Sequence, residues 1–169
     1  MGYVTGWTSL FAVLLAASPA KAQSGSAGNA PAGSPTGLVA PDSAALVAAC
    51  HVDPSQPVAS MSSAQMAVMM ACFQREVAAR LNRGMPVQVD ELTVAQSITA
   101  EGTTLTYHLR VDRPASELAG VRDQLVAQVR QRVCATPEMR RVIGYGGAYH
   151  YLWSDRESQP LAELLVTAC

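Results

Sequence analysis

The chain has 169 residues and nearly balanced charge, with 12 lysines and arginines against 13 aspartates and glutamates. This length suits a single domain, and the balanced charge argues against bulk nucleic-acid binding, which requires a basic field to neutralise phosphates. Lys21 is the only lysine, and we expect it to be removed with the segment described next. Arginine would then be the only cationic side chain, which excludes Schiff-base chemistry and a Walker-type phosphate lysine.

Residues 1–22 have the pattern of a secretory signal peptide. The apolar segment Leu10–Ala17 is too short to span a bilayer, and Ala20-Lys21-Ala22 is an A-x-A cleavage site. No cysteine follows the apolar segment closely, so we see no lipid-attachment site. We therefore expect a periplasmic or secreted chain that begins at Gln23 and has no stable membrane anchor after cleavage.

The segment 23–41 consists mainly of glycine, serine, alanine and proline with almost no charge. Such a composition cannot bury enough surface to become ordered, and it predicts a flexible tether. We expect residues 42–169 to form one folded domain, in which Asp42 or Ser43 begins a short helix that extends through Ala49.

The first long helix is predicted over Ser63–Asn82. Ser62 and Gln65 form a capping box before it, and Gly84 follows it as a stop signal. One apolar stripe follows the helical period and consists of Met66, Met69, Met70, Phe73, Val77 and Leu81. Methionines on such a stripe are most often core filler, although they also form adaptable binding surfaces. The candidate partner-binding residues are therefore Met66, Met69, Met70 and Phe73.

Two β-hairpins are predicted, each after a long helix. Leu92–Ala100 and Thr103–Val111 flank a turn at Glu101-Gly102, and the second strand alternates apolar with polar residues, which predicts one buried face. A helix is then predicted over 116–134. A short helix begins at Thr136-Pro137-Glu138 and is ended by Gly144 as a C′ glycine. An aromatic strand over 145–153 and a strand over 159–169 complete the chain.

This order predicts an α+β fold of two α-β-β units, whose four strands form one antiparallel sheet with both long helices on one face. Alternation places Tyr145, Tyr149, Tyr151 and Trp153 together on one side of the aromatic strand. These rings are core if they face the helices, and a stacking patch for a protein or glycan partner if they face outward. The core position is favoured because Tyr107 lies on the buried face of its own strand.

Four cysteines in an exported chain predict two disulfides. Three pairings are possible, and we favour Cys50–Cys72 and Cys134–Cys169 because each bond closes one structural unit. A metal site of Cys50, His51 and Cys72 is the alternative, but it lacks the close ligand spacing of known sites. We expect neither a metal nor a cofactor.

An alternative binding or catalytic site could lie on the open face of the predicted sheet. There we expect His108, Arg110 and His150 on neighbouring strands. Such a group could bind an anion or sense pH, although polar residues on a solvated face are the simpler interpretation. The sequence has no G-x-S-x-G nucleophile motif, and the glycines in 144–147 precede a strand instead of opening a helix, so they do not form a phosphate loop. We therefore predict no catalytic residue.

Several motifs are shared with a known family. They are Cys134-Ala135-Thr136-Pro137-Glu138-Met139-Arg140 with Gly144, Tyr149-x-Tyr151, the closing Cys169, and Thr103-Thr104-Leu105-Thr106-Tyr107 in the first hairpin. Over residues 62–169 the pattern resembles small exported bacterial domains, and the sulfur-bridged pilotins of type II secretion in particular. The resemblance implies an α+β sandwich, a Cys134–Cys169 bridge, and a partner segment that docks against the sheet or a helix groove.

We therefore expect a non-enzymatic domain that binds another envelope or secreted protein and acts as an envelope assembly or secretion accessory. An alternative is an inhibitor of an envelope hydrolase, such as a protease or lysozyme, with Asp155-Arg156-Glu157-Ser158 as the inhibitory loop. A third is a small hydrolase, which would need converging histidine and carboxylate groups. We expect a partner to bind beside the first long helix or along the sheet edge.

Overall fold

A computed structural model describes residues 43–53 and 55–169 of the chain. The predicted signal peptide and tether lie outside the described residues. No helix in the described part of the chain is long and apolar enough to cross a membrane.

The domain contains five α-helices and five strands within the described ranges. In chain order these are α1 (Ser43–Ala49), α2 (Ser63–Leu81), β1 (Val87–Gln88), β2 (Thr93–Glu101), β3 (Thr104–Val111), α3 (Ala115–Leu118), α4 (Arg122–Ala135), α5 (Pro137–Gly144), β4 (Ala148–Ser154) and β5 (Pro160–Val166). Short 3-10 helices occupy Val58–Ser60 and Asn82–Gly84.

The fold is α+β, but its sheet corrects the prediction of four antiparallel strands. Five strands lie in the order β1-β2-β3-β4-β5. The β3–β4 pair is parallel, whereas the other pairs are antiparallel. The connection 112–147 carries three helices, so it is long enough to return the chain to the start of β3 and make a parallel strand possible. The two-residue β1 is too short to leave an alternating pattern.

The helix starts and breaks follow local chemistry. The predicted capping box precedes α2, with Ser62 N donating to Gln65 Oε1 at 2.9 Å and Gln65 N donating to Ser62 Oγ at 3.2 Å. The predicted helix over 116–134 is instead divided into α3 and α4 around Gly120, a residue of low helix propensity. Gly144 is the last residue of α5 rather than its C′ glycine, and the positive φ of 84° occurs at Gly146.

One face of the sheet packs against the helices and contains the core. Helix α2 packs on β2 and β3, and α4 packs on β5. Tyr107 stacks on Tyr151 with ring centroids 5.0 Å apart, and Tyr151 stacks on Trp153 at 5.7 Å. The rings of β4 are therefore core, whereas Tyr145 lies before the strand and is 38% exposed. Burial raises the pKa of Tyr149 to about 12.

The two disulfides join the predicted pairs. Cys50–Cys72 links the end of α1 to α2, and Cys134–Cys169 links α4 to the chain after β5. Since both pairs of thiols are bonded, the alternative metal site of Cys50, His51 and Cys72 has no free thiolate to offer.

Asp155 connects the turn between β4 and β5 to the start of α3 through hydrogen bonds. Its side chain is buried, with Oδ1 accepting from Gln159 N at 2.8 Å and Oδ2 accepting from Ala115 N at 3.1 Å. Burial alone would raise the pKa of this carboxyl, but the backbone hydrogen bonds from Gln159 and Ala115 outweigh it and hold the pKa below its ordinary value. The charged form is therefore favoured in the folded state.

We expect Asp155→Asn to lower the urea midpoint of unfolding at pH 7, because an amide cannot accept both N–H groups as a carboxylate does. The folded pKa is depressed, so the stabilisation is present above the ordinary aspartate pKa of about 3.9 and is lost as pH falls through the folded pKa. The difference in urea midpoint between wild type and Asp155→Asn should thus narrow progressively below about pH 4. Asp112→Asn, at an exposed position, is the control. A difference in urea midpoint that does not change with pH would contradict the proposed stabilisation by the charged Asp155 carboxylate.

Candidate functional site

Three of the four candidate residues on α2 form a surface, which we call the methionine flank and define as Met66, Met69 and Phe73. All three side chains are half-buried. None belongs to the main hydrophobic cluster of the described residues or packs among its partly buried neighbours. The methionine flank is therefore an apolar, half-buried part of α2 that lies outside the main hydrophobic cluster.

Met70, the fourth candidate, points into the protein. It is 3% exposed, and a Cβ added to Gly147 would lie 3.3 Å from its Sδ atom. The same added atom would lie 2.5 Å from Val142 Cγ1, so α2, the end of α5 and the start of β4 meet closely here. Met70 therefore fixes the orientation of α2 and keeps the methionine flank outward.

Two exposed valines were not singled out from the sequence. Val58, in the 3-10 helix before α2, is 38% exposed, and Val68 on α2 is 73% exposed. Helical spacing turns Val68 away from Met66 and Met69. Neither valine belongs to the apolar stripe of α2, so the helical period did not identify them.

The open face of the sheet carries the two strand histidines, as predicted, but each has its own partner. His150 pairs in register with Thr106, and His108 with Leu152, which places both histidines on the face opposite the stacked rings. His108 Nε2 lies 3.0 Å from Thr99 Oγ1, and His150 Nε2 lies 2.7 Å from Glu163 Oε1. Each ring therefore has a separate hydrogen-bond partner on this face.

Arg110 shares this face, and its guanidinium is poorly satisfied. Its Nε atom is buried and has no hydrogen-bond partner among the described residues. In the register of the sheet Arg110 lies beside Val94 on β2 and Ser154 on β4, neither of which carries a charge. Arg110 therefore lies on the open face without a charged neighbour in register.

A shallow cavity of about 460 Å³ borders this face. Its titratable lining residues are His108, Arg122 and Glu163. The histidine contacts Thr99, and the carboxylate contacts His150. In residues 43–53 and 55–169, no group of three or more His, Cys, Asp and Glu side chains could hold a metal ion.

In the loop 155–158, which the inhibitor alternative requires to project from the surface, the charged side chains make hydrogen bonds within the domain. Asp155 is buried in the hydrogen-bonded turn described above, so its carboxylate does not project from the surface. Arg156 Nε donates to Glu157 Oε1 at 2.6 Å. The two charged side chains at the tip therefore pair with each other.

Comparison of solved structures finds the same fold in a secreted protein and in two pilotins. A "putative secreted protein" from Pseudomonas aeruginosa is 24% identical, and the match covers 61% of this chain and 93% of that one with a TM-score of 0.54. The pilotin EpsS of the Vibrio vulnificus type 2 secretion system is 14% identical, with 62% and 94% covered and a TM-score of 0.50. The type II secretion system pilotin AspS of Vibrio cholerae is 18% identical, with the same coverage and a TM-score of 0.51. These TM-scores indicate a shared fold and confirm the resemblance to the pilotins at that level.

No curated protein matches the chain. A family profile does match residues 59–166, from the 3-10 helix before α2 to the end of β5. The matched segment is more than half of the 169 residues. The chain therefore belongs to the family described as "Putative quorum-sensing-regulated virulence factor".

Proposed function

We propose that this chain is an exported, non-enzymatic domain that binds another envelope or secreted protein and serves as a secretion or envelope-assembly accessory. The fold shared with two pilotins supports an accessory role. The two disulfides support export, since such bonds persist in oxidising compartments. The observation that carries the proposal is the methionine flank, an apolar surface on the longest helix that lies outside the main core.

The chemistry of the flank suits a helical partner segment. Met66, Met69 and Phe73 recur at spacings of three and four residues, so they lie on one side of α2. Recognition of an amphipathic helix uses anchors at such spacings in an apolar groove. Methionine side chains are unbranched and polarisable, so they adapt to the shape of the partner at low strain.

The sheet edges are less suitable for docking because side chains already occupy part of their backbone groups. At the outer edge of β2, Ile98 N donates to Asn82 Oδ1 at 2.8 Å, and Asn82 Nδ2 donates to Ile98 O. At the edge strand β5, Arg130 Nη2 donates to Leu165 O at 3.4 Å. A strand added at either edge would have to displace these contacts. We therefore place the partner on the methionine flank.

We expect Met66→Asp or Met69→Asp to reduce capture of a partner from envelope extract by about tenfold or more, because a buried, unpaired carboxylate at an anchor costs over 1 kcal/mol. Pull-down with quantitative mass spectrometry measures the loss, and thermal unfolding checks that each variant folds. Val68→Asp is the matched control, since it places the same charge at an exposed position of the same helix.

His108→Ala and His150→Ala should leave capture intact under the same conditions. If these variants lost capture while the aspartate variants retained it, the site would lie on the open face. That result would contradict the proposal and favour an enzymatic function.

A further inference from the structure

Helix α1 is attached to α2 at two points. Arg80 Nη2 donates to Ala45 O at 3.1 Å, and Cys50, directly after α1, is bonded to Cys72. The start of α1 therefore lies near the end of α2, and its end lies near the middle of α2. The two helices run antiparallel.

The attachment points place α1 on the side of α2 that carries the methionine flank. Phe73 lies seven residues before Arg80, close to two turns of 3.6 residues, and Met69 lies eleven residues before it, close to three turns. Met69 also lies one turn before Cys72, on the adjoining line of the helix. The end of α1 is therefore beside Phe73 and within one turn of Met69.

The composition of α1 suits a covering role rather than a core role. Its sequence, SAALVAA, contains no charged residue. Ala45, Leu46 and Val47 are half-buried, yet no residue of α1 belongs to the main hydrophobic cluster of the described residues. The family match begins at residue 59, after α1. Helix α1 thus lies outside the matched fold and buries its apolar side chains against α2.

We propose that α1 is an intramolecular occupant of the methionine flank, in the place where the partner segment docks. The inference rests on the proposed function for the identity of that site, and it specifies the ligand class: a short, uncharged helix with small apolar side chains. A partner of this chemistry competes with α1, so its apparent affinity falls with the fraction of molecules in which the flank is open. The Cys50–Cys72 bond raises the local concentration of α1 and keeps that fraction small.

Methionine oxidation measures this cover directly and needs no partner. The full mature chain is treated with dilute hydrogen peroxide, and peptide mass spectrometry gives the oxidation rate of each methionine. In Cys50→Ser/Cys72→Ser we expect Met69 to oxidise several-fold faster than in wild type. Met139, which is 5% exposed in the core, should keep its rate.

Two further variants separate loss of the cover from loss of the fold. Cys134→Ser/Cys169→Ser also removes one disulfide, but it should leave the rates of Met66 and Met69 unchanged. Leu46→Glu keeps both disulfides and places a charge on the half-buried side of α1, so it should accelerate oxidation of Met69.

An unchanged rate at Met69 in both α1 variants would overturn the inference, whatever the function. Faster oxidation of Met69 with an unchanged rate at Met139 would support it. If oxidation accelerates but Met69→Asp does not reduce partner capture, α1 is still the cover of the flank, and only the proposed function fails.

Discussion

The stacking of Tyr107 on Tyr151 across the parallel β3–β4 pair joins the two halves of this domain. Before this pair, α2 packs on the first hairpin, where Gln74 Nε2 donates to Thr103 O at 3.3 Å. After it, α4 packs on β5. Burial, and then the tyrosine neighbours, raise the pKa of both hydroxyls, so the rings stay neutral in the core. The β3–β4 pair therefore connects the part of the sheet that packs on α2 with the part that packs on α4.

The orientation of α2 determines which of its apolar residues can serve a partner. Met70, Gln74 and Ala78 are buried against the sheet, and this line of contacts leaves the methionine flank at one side of the helix. Helix α1 then lies beside that flank through the Cys50–Cys72 bond. Under the proposed function, stability and recognition would use different lines of residues on this one helix.

Some features that depend on residues close in sequence, such as a helix cap and a tight turn, were predicted correctly. The capping box at Ser62 and the turn at Gly102 lie where the sequence placed them, and the disulfides join the predicted pairs. The parallel β3–β4 pairing depends on how the chain returns across the sheet, so periodicity could not show it. For the same reason the contact between His150 and Glu163 could not be predicted before the strand order was known. The methionine stripe was visible, but only packing separates Met70 from Met66 and Met69.

Site-specific photo-cross-linking tests whether a partner contacts the methionine flank. A photoreactive residue replaces Met69 in one variant and Thr106, on the open face of the sheet, in another. Both are illuminated in the presence of envelope extract. If a partner binds the methionine flank, we expect a discrete cross-linked protein from position 69 and none from position 106. A cross-link from position 106 alone would contradict this expectation and move the binding site to the open face.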